Sequence, residues 1–135
     1  MKKFFIFLGI SCLIAGVSLF GNSLLMINKD GTFSVFDRYD NVKIYSELPL
    51  LYRYQHEEYF TRFDTFGNIN DTQEILRSLG ANELFREQVG DIVIIYAYSP
   101  LITKFERVHS HRVNVMIAVR EERISVGSPL LKGSF

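Results

Sequence analysis

Tryptophan is absent from the 135 residues, and cysteine occurs once, at Cys12. After Ile27 there is no thiol at all. Whatever folds there uses no disulfide, no thiolate metal ligand and no cysteine nucleophile, and must be stabilised by burial. Proline is scarce, at Pro49, Pro100 and Pro129, and there is no repeat, low-complexity tract or Pro/Gly/Ser linker to separate domains. Neither sign of charge is in excess: 15 Lys and Arg balance 15 Asp and Glu. A nucleic-acid binder concentrates basic charge on one face, and no such cluster is visible. Serine motifs of the G-x-S-x-G or S-x-x-K kind are missing, as is a glycine-rich phosphate loop. The adjacent carboxylates Glu57-Glu58 and Glu121-Glu122 diverge on any regular element and read as solvated charge.

What the chain does have is a long uncharged run, Phe4 to Ile27, preceded by Lys2 and Lys3 and followed by Lys29. About 20 apolar residues cross a bilayer core of about 30 Å as a helix. The run is longer than a signal peptide needs and lacks an A-x-A cleavage site. An uncleaved anchor through residues 4–27 is therefore the expectation. The alternatives are a cleaved signal, for which Gly21 and Ser23 offer the best site, after Ser23, and, last, a buried core helix. Lys2 and Lys3 against the single Lys29 place the N-terminus in the cytoplasm and the rest outside. Residues 1–28 are then the anchor, and residues 29–135 form one small extracytoplasmic domain. If the signal is cleaved, the domain is secreted.

The domain reads as α+β. Thr32–Phe36 and Val42–Tyr45 are two short strands, able to form a hairpin. Leu50–Phe66 mixes aromatic and charged residues, and its fold stays open between strand and helix. Asp71 as N-cap with Glu74 three residues on starts a helix. A helical period runs on to Gln88, broken or divided at Gly80, with Arg77, Glu83, Arg86 and Glu87 on its solvated face and Gly90-Asp91 at its end. Ile92–Tyr98 is the strongest strand, apolar on both faces and so expected to be central. A weaker strand follows over Leu101–Val108. Val113, Val115, Ile117 and Val119 then alternate with Arg112, Asn114, Met116, Ala118 and Arg120. Glu121-Glu122 is a tight connection to a partner strand at Ile124 and Val126. The expected architecture is an antiparallel sheet with one broken helix on one face.

Two clusters invite a functional reading. His109 and His111 lie two apart and, with Glu106, could share a metal, as could His56, Glu57 and Glu58; a polar turn between strands accounts for the pair more simply, and no metal or cofactor is expected. Exposed tyrosines mark interfaces, and Tyr52, Tyr54 and Tyr59 with Arg53 and Arg62 form the candidate interaction surface. The ordinary explanation is half-buried sheet residues or membrane-interface anchors.

The block Gly90-Asp91, Tyr96-Ala97-Tyr98-Ser99-Pro100, Val113-Asn114-Val115 and Ile124-Ser125-Val126-Gly127-Ser128-Pro129 resembles the YwmB, or TATA-box-binding-like, family of exported proteins of Gram-positive spore-formers. The resemblance spans Asp71 to Phe135. It implies an exported protein with a signal or anchor, and a sheet with a helix on one face. It does not imply DNA binding, because an exported, near-neutral domain has neither the address nor the charge for it. The expected function is a non-enzymatic, membrane-anchored domain of the cell envelope, with a role in sporulation also open. It would bind another envelope protein or itself, for instance through an open sheet edge. The alternatives are binding of a small ligand or wall polymer in an aromatic cleft and, last, a hydrolase built on His56, His109 and His111 with nearby carboxylates.

Overall fold

The uninterrupted apolar stretch Ile92–Tyr98 needs cover on both faces and a partner on both edges, and the chain supplies all four. The computed structural model of the protein describes Leu24, Ile27, residues 29–36, the backbone of residues 42–45, and residues 60–135. Among these, nine strands appear: β1 (Thr32–Phe36), β2 (Val42–Tyr45), β3 (Phe60–Phe66), β4 (Asn82–Val89), β5 (Ile92–Tyr98), β6 (Glu106–Val108), β7 (His111–Val113), β8 (Val115–Arg120) and β9 (Arg123–Ser128). One α-helix, α1 (Thr72–Ser78), follows a 3-10 turn over Ile69–Asp71. Seven strands form one sheet in the order β2-β1-β3-β9-β8-β5-β4, antiparallel throughout. The β6–β7 hairpin stands apart as a second, two-stranded sheet. The coarse α+β reading and the β1–β2 and β8–β9 hairpins are as expected from the sequence.

The strand alternation sorts side chains into two cores. On one face Phe33, Val35, Phe63, Ile95, Ala97, Val115, Ile117, Val119, Ile124 and Val126 pack under Ile75, Leu76 and Leu79 of α1. Phe33 and Phe63 meet with ring centres 4.8 Å apart. Leu24 and Ile27, from the end of the uncharged run, are buried in this same core. On the other face Ile94, Tyr96 and Met116 are covered by Val113, Val108 and the tail residues Leu130, Leu131 and Phe135. At Gly127 the tail crosses so closely that an added Cβ would lie 2.6 Å from the backbone of Leu130 and Leu131. Only glycine admits that approach.

Several expectations are corrected. The helix does not reach Gln88: it stops at Ser78, and Asn82–Val89 is a strand. Gly80, at φ +61°, sits in a Schellman turn, with Ala81 N–H donating to the Leu76 carbonyl at 2.8 Å and Gly80 N–H to Arg77 at 3.1 Å. The spacing of Ala81, Leu84, Phe85 and Gln88 fits a helix, but the outer edge of β5 requires a hydrogen-bonded partner, and that tertiary demand prevails. Gly90-Asp91 is accordingly the two-residue turn of the β4–β5 hairpin. Strand β5 is flanked on both sides but lies second from the sheet edge, because β4 is outermost.

Asp71 does not cap α1. Its carboxylate accepts from Asn68 N–H at 2.8 Å while the Asn68 side chain accepts from Asn70 N–H at 2.9 Å, a capping box one turn earlier, on the 3-10 turn. The first free N–H groups are those of that turn, so the cap moves back with them. Of Leu101–Val108 only Glu106–Val108 is strand. Finally, the alternation through Val113–Val119 slips at Asn114. Val113 faces one core, Val115 the other, and Asn114 between them is fully buried. Its amide accepts from Ser99 N–H at 2.7 Å and donates to the carbonyls of Ser99 at 2.7 Å and Ile102 at 2.9 Å.

Truncating Leu24 to alanine in the detergent-solubilised chain should cost about 2–5 kcal/mol in urea unfolding, as for a fully buried core leucine. The Asn68 N–H bond, then Lys29, hold the Asp71 carboxyl below its ordinary value of 3.8. A depressed carboxylate stabilises the fold above its unfolded value, and that contribution goes as pH falls through the folded value. Stability curves of the parent and Asp71→Asn should therefore differ above pH 3.8 and converge below it.

Candidate ligand cleft

Arg62 and Asp64 are two apart on β3 and so share a face, the one away from α1. Ser125 of β9 is the register partner of Asp64. The three side chains lock together. Arg62 Nε donates to both Asp64 oxygens, at 3.1 and 2.9 Å, and its Nη2 reaches Asp64 at 2.9 Å and Ser125 Oγ at 3.2 Å. Ser125 Oγ donates to Asp64 at 2.6 Å. Arg62 Nη1 donates to the Lys132 carbonyl at 2.9 Å, which ties the tail across the sheet. The Arg62 side chain is 11% exposed.

Beside this network the sheet and the tail enclose a cleft of about 450 Å³. Arg62, Ser125 and Ala118 line it from the sheet, and Ser134 and Phe135 from the tail. Arg120 and Arg123, cross-strand partners at the end of the β8–β9 hairpin, line it with Glu121 of the turn. Arg120 Nε reaches Asp91 at 3.2 Å, an exposed contact. The arrangement can recognise a polar or anionic group through guanidinium and hydroxyl donors. Ser125 gives its proton to a carboxylate already engaged by Arg62, so it is held as a fixed hydrogen-bonding group.

A second cluster joins the two sheets. His109 and Ser110, at φ 48° and 69°, form the β6–β7 turn. His109 Nε2 lies 3.2 Å from Glu87, whose other oxygen accepts from the Tyr96 hydroxyl at 3.4 Å. Phe85 stacks on Tyr96 at 4.5 Å, with His109 at 5.6 Å and His111 at 5.3 Å. Burial, then the Glu87 carboxylate, raises the Tyr96 phenol above its ordinary 10.0, so it stays a donor at neutral pH. The His109 side chain is 70% exposed, so the histidines sit on the surface against an aromatic ring. No group of three or more His, Cys, Asp or Glu able to hold a metal occurs among the described residues.

Of the candidate interaction residues, Arg62 lies in the cleft, while Tyr52, Arg53, Tyr54 and Tyr59 lie outside the described residues, as do Lys2, Lys3 and the cluster His56, Glu57 and Glu58. Lys29 pairs with Asp71 at 3.6 Å. The residues sequence reasoning missed are Asp64, Ser125, Arg120 and Arg123. The Arg62-x-Asp64 spacing within a strand was the available signal. Comparison with protein families, with curated proteins and with solved structures returns no match.

Replacing Asp64 with alanine removes the partner of a largely buried guanidinium. It should cost about 1–3 kcal/mol in urea unfolding, and Asp64→Asn less, because the amide still accepts one bond.

Proposed function

We propose that the protein is a binding domain of the cell envelope, held on the outer face of the membrane by its apolar run and taking a ligand in the arginine-lined cleft. The observation that carries the ligand reading is the cleft lined by Arg62, Arg120 and Arg123, and the placement rests on the uncharged run, whose end at Leu24 and Ile27 joins the domain core. The uncharged run continues without a break into the folded domain, and residues 4–23 still supply the 20 residues that cross a bilayer. No helix among the described residues is long and apolar enough to cross a membrane; the proposed span is residues 4–23. The cleft supports ligand binding over strand addition. At the β4 edge of the sheet, Glu83, Arg86 and Glu87 and a bulge between Glu83 and Phe85 discourage edge pairing. The resemblance to an exported family points the same way. The reading is of a non-enzymatic domain, and it involves no nucleic acid.

An alkaline-phosphatase reporter fused after Phe135 tests the placement. Activity outside, with the full-length product resisting a carbonate wash of the membranes, is the expected result. Activity outside with the first 23 residues lost would replace the anchor by a cleaved signal, with Leu24 leading the mature chain. An inactive reporter would overturn the reading.

A further inference from the structure

One row of residues crosses the end of the sheet on the face away from α1. Cross-strand register aligns Phe66 with Arg123, Arg123 with Arg120, Arg120 with Ile92, and Ile92 with Val89. Phe66 is 80% exposed and Val89 57%, the highest values for large hydrophobic residues among those described. Between them stand two arginines directly opposite each other. Like charges in that position repel. Arg123 makes no ion pair among the described residues, and Arg120 has only its exposed contact with Asp91.

The chain enters the sheet at this same end. Thr65 Oγ1 donates to the Asp30 carbonyl at 2.7 Å, Lys29 pairs with Asp71, and Thr32 is in register with Asp64. Ser23 lies six residues before Lys29, so residues 4–23 end within about 20 Å of it. An aromatic and an aliphatic side chain flanking two guanidiniums suits the headgroup layer, where rings and long cationic side chains both settle. Asp30, Asp91, Glu121 and Glu122 at this end leave it without net positive charge. The attraction is therefore local, guanidinium to phosphate and apolar side chain to acyl boundary, with no long-range pull toward anionic lipid.

We propose that this row is the face on which the domain rests on its own membrane, with Phe66 and Val89 entering the headgroup layer and Arg120 and Arg123 holding phospholipid phosphates between them. The inference rests on the reading that residues 4–23 span the bilayer.

The absence of tryptophan makes the test clean. The full chain carrying Phe66→Trp, and separately Leu84→Trp on the outer strand, is reconstituted into phosphatidylcholine vesicles with and without bromine-labelled acyl chains. Flotation first reports whether the chain is held by the membrane. The expected result is a blue-shifted emission from the Phe66→Trp chain that is lost to bromine quenching, while emission from the Leu84→Trp chain is spared. Adding Arg123→Glu to the Phe66→Trp chain should restore its emission, and inorganic phosphate added without that second change should not. Floated vesicles in which the Phe66→Trp chain is unquenched, or in which both chains are quenched equally, overturn the proposal and leave the anchored reading standing. Failure to float overturns both.

Discussion

A buried amide must have its hydrogen bonds made inside the protein, and the side chain of Asn114 meets that demand at the point where the chain changes layers. Strand β7 belongs to a hairpin that covers one face of the sheet; strand β8, one residue later, is part of the sheet itself. The handover reverses which way the following residues point. Val113 goes to one core and Val115 to the other. Asn114 binds the N–H and the carbonyl of Ser99 and the Ile102 carbonyl, while Ser99 Oγ donates to the Leu79 carbonyl at the end of α1. One polar knot thus joins the helix, the end of β5, the loop after it and the start of β8. Buried networks of this kind, fully satisfied, fix one packing over its near neighbours.

The two faces of the sheet are built on different terms. The face under α1 is apolar across β1, β3, β9, β8 and β5 apart from Thr61, Thr65 and Ser128, and depends on area buried. The opposite face is apolar toward β5, where the hairpin and tail cover it, and again at Phe36, Phe60 and Phe66 of β1 and β3. Toward β3 and β9 it carries Arg62, Asp64 and Ser125, whose charges and donors are matched within a few ångströms. The tail bridges both regions: Leu131 N–H donates to the Met116 sulfur at 3.4 Å, and the Lys132 carbonyl accepts from Arg62. The tail is hydrogen-bonded to the polar surface at Arg62 and presses close at Gly127, and the cleft lies between its last residues and the sheet.

Much of this was legible from residue pattern. The period-two run at Thr32–Phe36, the continuous apolar run at Ile92–Tyr98, and the pair around Glu121-Glu122 declare themselves because each strand is short and half or fully buried. Residues 81–88 misled, since apolar residues there are too few and too spaced to distinguish the periods 2 and 3.6, and the choice is made by β5, which lacks a partner otherwise. Asn114 hid inside a perfect valine alternation, and no local signal marks a side chain whose partners lie 12 and 15 residues away. The cleft required register: Arg62-x-Asp64 is readable within β3, but Ser125 and Arg120 join it only once β9 and β8 are laid alongside.

The burial of Leu24 also has a mechanical side. A tether that ends in a slack linker lets its domain swing and absorbs any pull before the fold feels it. Leu24 is itself a core residue, buried in one cluster with Ile75, Leu76 and Leu79 of α1, so no slack lies between that point and the fold. A pull applied at Leu24 would act directly on the core that α1 and the sheet share.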